Sequence, residues 1–151
     1  MLLLRANGDT FATGAAPYSY RPPINDITNR ILLQVAIEGT IIEAIVDTGS
    51  PFAVCPPYLA ETIGFDPAAA LDSIPFIVRG IRMTGNLHRA TILFPAAEGD
   101  DLVVDATIFV PNQEWQESWG EHPAFIGLTG CLERLRFAFD PENDLFYFGP
   151  L

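Results

Sequence analysis

The apolar residues of this chain fall in short runs separated by glycine, proline, asparagine and aspartate. Runs of this kind, with partial alternation and no 3.6-residue period, are typical of β-strands joined by tight turns. Five of them predict the main strands: "ILLQVAIE" (31–38), "IIEAIVD" (41–47), "IPFIVRGI" (74–81), "NLHRATILF" (86–94) and "LVVDATIFV" (102–110). The first two meet across Gly39 and Thr40, a spacing that predicts a two-residue hairpin. The pattern therefore predicts a mostly-β protein.

Shorter segments complete this prediction. "FAVC" (52–55) indicates a short strand, and "PPYLAETIG" (56–64) a brief helix with proline at its start and Gly64 just past its end. The segment 124–150 predicts a strand, a turn, a short helix and a final hairpin around "DPEND". Residues 1–29 are rich in small residues and proline and lack periodicity, so we expect a loosely ordered N-terminal arm. With 151 residues, 49% of them hydrophobic, the remaining 30–151 suffice for one domain with its own core.

Charge and apolar patterning exclude some classes of partner. The chain has 8 Lys+Arg against 19 Asp+Glu, a formal net charge of −11, which disfavours nucleic-acid binding. Arg79, Arg82 and Arg89 are the nearest approach to a basic patch, and they are spread along a predicted hairpin. Three leucines before Arg5 are too few for a signal peptide, and no apolar run is long enough to span a bilayer. We therefore expect a cytoplasmic protein without a membrane partner.

The cysteines and histidines do not have the spacing of a metal site. Cys55 and Cys131 form no C-x-x-C pair, and His88 and His122 lie far apart in sequence. We expect two buried free thiols and histidines that are structural or on the surface.

The stretch "EAIVDTGSPFAVC" (43–55) carries the chemistry. Asp47 ends an apolar strand and is followed at once by Thr48, Gly49 and Ser50. Two carboxyls held together share one proton, so that one deprotonates a water while the other protonates a peptide nitrogen. In such a site Gly49 gives the turn its backbone freedom, Thr48 bonds to the opposing loop, and Ser50 bonds to the outer oxygen of Asp47. Asp47 is also consistent with the cap of a plain turn in which Ser50 bonds to backbone groups.

The motif and its surroundings resemble the retropepsin-like aspartic proteases. "AIVDTGSPFAV" is similar to the catalytic loop of that family, the hairpin before it to the opening strands, and "AFIGLTGCLERLRFAFDPENDLFYF" to the closing segment. "VRGIRMTGNLHRATILF" (78–94) lies where the family carries its flap. The resemblance spans residues 31–148 and implies an acid-protease barrel with one or two short helices, one lobe per chain. It assigns catalysis to Asp47, Thr48 and Gly49, and substrate binding to Ser50, Gly80, Ile81 and Gly85.

A single copy of the motif implies a partner. The second carboxyl is then Asp47 of another chain, so the resemblance implies a homodimer that hydrolyses peptide or protein substrates through an activated water, with no cofactor. We expect a preference for mildly acidic pH. The sequence departs from the family pattern at Thr129 and Gly130, where an Asp or Asn and a bulky apolar residue are common.

Other interpretations stay open. The domain is also consistent with a dimerisation or peptide-binding module with little or no turnover, or with a monomeric barrel for a small ligand. Trp115 and Trp119, four residues apart, are expected to pack on the core, with the lining of a substrate groove as the alternative. Glu114, Glu117 and Glu121 predict a solvated face.

Overall fold

The computed structural model describes residues 2–151 and is built almost entirely of β-strands. Its strands are β1 (Leu3–Leu4), β2 (Thr10–Ala12), β3 (Gly14–Pro17), β4 (Ser19–Arg21), β5 (Arg30–Ile37), β6 (Thr40–Val46), β7 (Ala53–Val54), β8 (Asp72–Val78), β9 (Ile81–Phe94), β10 (Glu98–Gly99), β11 (Leu102–Pro111), β12 (Ala124–Ile126), β13 (Leu135–Asp140) and β14 (Leu145–Pro150). The helices are α1 (Pro57–Ile63) and α2 (Gln116–Trp119), with 3₁₀ turns at Pro67–Ala69, Gln113–Trp115 and Leu132–Arg134. The prediction of a mostly-β chain with one or two short helices is confirmed.

The main sheet closes on itself. Its eight strands follow the order β4-β5-β6-β12-β7-β11-β9-β8, and a further pairing of β5 with β9 joins the six inner strands into a ring. Closure satisfies the edge hydrogen bonds that an open sheet leaves unpaired. A second sheet, in the order β10-β3-β14-β13, packs beside the ring. A main core of buried residues from the ring strands and β14 fills the space between them, and a smaller cluster lies under the β8–β9 hairpin.

The predicted hairpins form, with turns set by the backbone. Glu38 and Gly39 both have positive φ, 47° and 80°, which places the first turn one residue earlier than the sequence predicted. Arg79 and Gly80 repeat the geometry at the tip of β8–β9, with φ of 52° and 79°. Two consecutive left-handed residues twist a two-residue loop in the sense that paired strands need, and the second of them is glycine in both turns.

Helix α1 forms as its sequence predicts. Pro57 occupies the first turn, where a missing N–H leaves no helical hydrogen bond unmade. Gly64 ends the helix at φ 80° and donates its N–H to the carbonyl of Ala60.

The N-terminal segment differs from the expectation of a loosely ordered arm. Strand β3 lies between β14 and β10, with Ala15 paired to Tyr147 on one side and to Glu98 on the other. Ala15 is fully buried, and a Cβ on Gly14 would run into the ring of Phe148. The expectation of loose order is wrong for residues 10–21, because alanine and glycine let this strand pack closely while giving no hydropathy pattern. The boundary at residue 30 stays a prediction.

Side chains outside the motif take mostly structural positions. Trp119 is buried in the cluster under the hairpin and Trp115 is half-buried against it, which agrees with core packing. Cys55 and Cys131 are free and buried as expected. His88 and His122 are buried as well, which agrees with the structural alternative for the histidines and not with a surface position. Glu114, Glu117 and Glu121 are exposed as expected. Within residues 2–151, no helix combines the length and apolar character needed to cross a bilayer.

Candidate active site

The Asp47 loop leaves the end of β6 as a tight turn that organises its own carboxylate. The backbone N–H of Gly49 donates to Oδ1 of Asp47 at 2.9 Å, and the N–H of Ser50 donates to the Asp47 carbonyl at 3.1 Å. These bonds fix the direction of the Asp47 side chain. The Asp47 side chain is partly exposed, and Thr48 and Gly49 beside it are exposed.

Ser50 does not make the contact that the sequence predicted. Its hydroxyl donates to the carbonyl oxygen of Phe52 at 2.8 Å instead of to the outer oxygen of Asp47. Ser50 therefore braces the loop against its own continuation.

A second segment, residues 124–128, forms backbone hydrogen bonds with the Asp47 loop and with the strand before it. Strand β12 runs parallel to β6, pairing Ile126 with Val46, and its carbonyl at Ile126 accepts the N–H of Asp47 at 3.0 Å. Just beyond, the N–H of Leu128 donates to the carbonyl of Ser50 at 2.8 Å. Gly127 makes this crossing possible, because a Cβ there would lie 2.8 Å from the Ser50 oxygen and closer still to the backbone of Phe52. The carboxylate is thus positioned by backbone contacts between two distant parts of the chain.

The β8–β9 hairpin covers Asp47 and encloses a cavity of about 140 Å³. Its lining consists of Asp47, Gly49, Ser50, Pro51, Val54, Phe76, Ile77, Val78, Arg79 and Phe125. Phe76 fixes the hairpin to the floor, since its ring centroid lies 5.8 Å from that of Phe52 and 5.0 Å from that of Phe109. The cavity therefore combines the Asp47 carboxylate and the Arg79 side chain with six apolar residues, which suit apolar side chains of a peptide.

A second cavity, also of about 140 Å³, reaches Asp47 from another direction and is charged. Its lining consists of Asp26, Arg30, Ile45, Asp47, Arg79, His122 and Phe125. Asp26 accepts the N–H groups of Ile27 and Thr28 and lies 3.7 Å from the Arg30 guanidinium. The Thr28 N–H is the main cause of a lowered pKa of Asp26, with a smaller part from Arg30.

His122 is the buried wall of this charged cavity. Its ring stacks on Phe125 with centroids 5.1 Å apart, and its Nδ1–H donates to the Pro123 carbonyl at 3.1 Å. Burial lowers the pKa of His122, and the positive charge of Arg79 lowers it further. Both effects disfavour the protonated form of the imidazole.

Sequence reasoning did not assign Asp26, Arg79 or His122 to the site. No local motif marks them, because they come from three distant segments that only the fold brings to one cavity. The Arg79–Gly80 dipeptide indicates at most a turn of the predicted hairpin, because glycine favours a left-handed backbone, and it does not indicate a cavity.

The predicted flap residues do not all lie together. Gly80 and Ile81 are at the exposed tip of the hairpin, and Ile81 lines a neighbouring cavity with Val78, Arg79, Met83, Ser118 and Trp119. Gly85 lies inside β9, paired with Ile74 and Pro111, and a Cβ there would overlap the Val110 carbonyl. Gly85 therefore serves close packing between strands rather than the mobility of the tip.

Among residues 2–151, no three His, Cys, Asp or Glu side chains are arranged to hold a metal ion. The chemistry available at Asp47 on this chain is that of a carboxylate, backbone N–H groups and the Thr48 hydroxyl.

Comparisons with known proteins agree with this architecture. No protein-family model and no curated protein sequence matches the chain. Among solved structures, a retropepsin-like aspartic protease from Rickettsia conorii superposes with a TM-score of 0.55 at 14% identity, covering 92% of this chain and 94% of that one. The retroviral protease-like domain of Ddi1 from Leishmania major superposes with a TM-score of 0.50 at 14% identity, covering 81% and 94%. The chain therefore has the fold of a retropepsin-like aspartic protease, as one mostly-β lobe.

Proposed function

We propose that this protein is an aspartic endopeptidase whose active site is formed by Asp47 of two chains in a homodimer. The observation that carries the proposal is the Asp47 carboxylate, which the Gly49 N–H orients at a cavity roofed by the β8–β9 hairpin, in a lobe of retropepsin-like fold. One lobe has one such loop, and a carboxylate pair that shares a proton needs two.

The proposed reaction is hydrolysis through a water held between the two carboxyls. The ionised carboxyl takes a proton from the water, which attacks the peptide carbonyl, and the protonated carboxyl gives its proton to the leaving nitrogen. Gly49 supplies the N–H that fixes Asp47. In the proposed dimer the Thr48 hydroxyl, which is exposed in the single chain, bonds across to the loop of the partner. Ser50 keeps the loop in shape through its bond to Phe52.

The proposed substrate is an extended peptide between the hairpin and the Asp47 loop. Gly80 and Ile81 at the hairpin tip are the residues that close over it, and the apolar wall around Phe76 receives its side chains. Gly85 contributes only indirectly, by holding β9 against β11.

Exposed apolar residues beside Asp47 support a second copy as the partner. Ile27 is 97% exposed and Ile24 56% exposed, on the loop that carries Asp26 into the charged cavity. Leu128, 40% exposed, follows Gly127 directly under the Asp47 loop. Apolar side chains grouped around one site are commonly covered by a partner. A two-fold axis through Asp47 covers these residues and joins the two carboxylates.

The test compares wild type with Asp47→Asn on a library of unstructured peptides, with a mass measurement of the assembly in the same buffer. We expect cleavage by a dimeric wild type, inhibition by pepstatin, and loss of at least about 10³-fold of the rate in Asp47→Asn, because the shared proton is lost. Asp105→Asn is the matched control. That carboxylate is exposed on β11 and pairs with the exposed Arg89, so its removal leaves the rate unchanged.

Two outcomes contradict the proposal. Cleavage that survives in purified Asp47→Asn rules out the carboxylate as catalyst, and an active monomer rules out pairing. If wild type binds peptides without cleaving them, the peptide-binding module takes the place of the enzyme. A rate that rises steadily above neutral pH also contradicts a shared proton.

A further inference from the structure

The hairpin over Asp47 carries positive charge that the rest of the chain does not neutralise. All eight basic residues of the chain are arginines. Within residues 2–151, three of them pair with carboxylates and two donate to backbone carbonyls: Arg21, Arg30, Arg89, Arg134 and Arg136. In the same range the side chains of Arg5, Arg79 and Arg82 have neither an ion pair nor a hydrogen bond, and two of these three are on the β8–β9 hairpin. In a chain of net charge −11, unpaired cations at one place are a distinctive feature.

Arg79 is the hairpin arginine that faces the site. It lines two cavities that contain Asp47, the one with Phe76 and the charged one with His122. Its left-handed backbone at φ 52° is part of the tight turn, so the side chain starts from a fixed position. Arg82, three residues on, lines a different cavity with Pro75, Phe76 and Ile77. The two arginines thus differ in access to Asp47 while sharing one hairpin.

The other charges near Arg79 do not neutralise it fully. Asp26 already accepts two backbone N–H groups and faces Arg30 at 3.7 Å, and the imidazole of His122 supplies no negative charge. The remaining anion is Asp47. In the proposed dimer two Asp47 carboxyls share one proton and carry one negative charge, whereas two copies of Arg79 carry two positive charges. A substrate carboxylate fits the excess positive charge.

We propose that Arg79 is a specificity-determining residue that selects peptides with an acidic side chain close to the scissile bond. The inference rests on the proposed function, because that function defines where the scissile bond lies. The predicted preference for binding acidic peptides does not require hydrolysis. Selection is local: the net negative charge of the chain disfavours acidic peptides elsewhere on its surface, and Arg79 favours them at the cavity.

The experiment uses a series of neutral, apolar peptides, each with a single Glu at one of the three positions on either side of the cut. Each Glu peptide is compared with a matched peptide that has Gln at the same position. We expect at least one position at which wild type prefers Glu about fivefold in kcat/KM, which corresponds to ~1 kcal/mol for a partly exposed charge pair. The Glu/Gln ratio falls to about one in Arg79→Gln and stays at the wild-type value in Arg82→Gln. The ratio also falls at high salt, because the pair is screened.

The same peptides are measured for binding to full-length Asp47→Asn by fluorescence anisotropy, with and without Arg79→Gln. If wild type cleaves no peptide, the proposed function fails, and a Glu preference in binding that requires Arg79 still supports the charge selection. Equal cleavage and binding of the Glu and Gln peptides by chains with Arg79 overturn the inference and leave the proposed function standing. A Glu preference that survives Arg79→Gln, or that is lost in Arg82→Gln alone, also overturns it.

Discussion

Gly127→Ala tests whether the backbone crossing under the Asp47 loop positions the carboxylate. The added Cβ would lie 2.8 Å from the Ser50 oxygen and closer still to Phe52, whereas carbon–oxygen contacts in proteins are about 3.3 Å or longer. The Phe52 backbone is the nearer obstacle, so the two segments must separate by about 1 Å. Both obstacles are backbone atoms, so no side-chain rotation relieves the overlap. The Ile126 carbonyl, which accepts the Asp47 N–H, moves with residue 127.

Two magnitudes follow for this variant. Forcing an extra carbon into packed backbone costs about 1–3 kcal/mol of the free energy of unfolding. Because a misplacement of ~1 Å at reacting groups costs about 100-fold in rate, a shift of that size at the Asp47 loop predicts a loss of about 100-fold in kcat/KM.

The assay pairs urea unfolding with peptide cleavage and uses Gly64→Ala as control. Gly64 ends α1 at φ 80° with open space where a Cβ would go, so alanine there costs about 1 kcal/mol through the backbone alone and leaves the Asp47 loop in place. We expect both variants to lose stability but only Gly127→Ala to lose rate in the folded fraction. Full activity in Gly127→Ala would refute the positioning argument.

Three further predictions concern stability and reactivity. Ala15→Asp places a carboxylate in a fully buried position of β3, so the free energy of unfolding should fall by at least about 3 kcal/mol; an unchanged urea midpoint would mean that this strand is not docked. Burial raises the pKa of Cys55 and Cys131 to about 12, so a thiol reagent at pH 8 should find no reactive thiol in the native protein and two in urea, and fast native labelling would contradict it. Burial lowers the pKa of His88 and of His122 below the usual 6.5, so the unfolded state binds more protons. The free energy of unfolding should therefore fall as the pH drops below 6.5, by up to about 1.4 kcal/mol per pH unit for each histidine. In His88→Phe this fall should be smaller, and a constant urea midpoint from pH 7 to 5.5 in wild type would contradict the prediction.

Local signals predicted the parts of the fold that local sequence controls. The hairpin of β5 and β6, the helix between Pro57 and Gly64, and the strand exit at Asp47 each have a pattern and a turn residue close together. The exact turn at Glu38 and Gly39 was displaced by one residue, because strand pairing decides which residue takes the second left-handed position. Strand β3 escaped prediction because its contacts are with β14, which lies far along the chain.

The sequence by itself determined that the chain is mostly β, that Asp47 stands at a strand exit with Thr48, Gly49 and Ser50 behind it, and that one such motif is present. The tertiary structure decided which residues surround that carboxylate. It places Gly127 beneath the loop, Arg79 above it and His122 beside it, and it turns Ser50 toward Phe52. The physical reason is that a turn is fixed by the φ preferences of adjacent residues, whereas a cavity is fixed by strand pairings between segments that no local pattern connects.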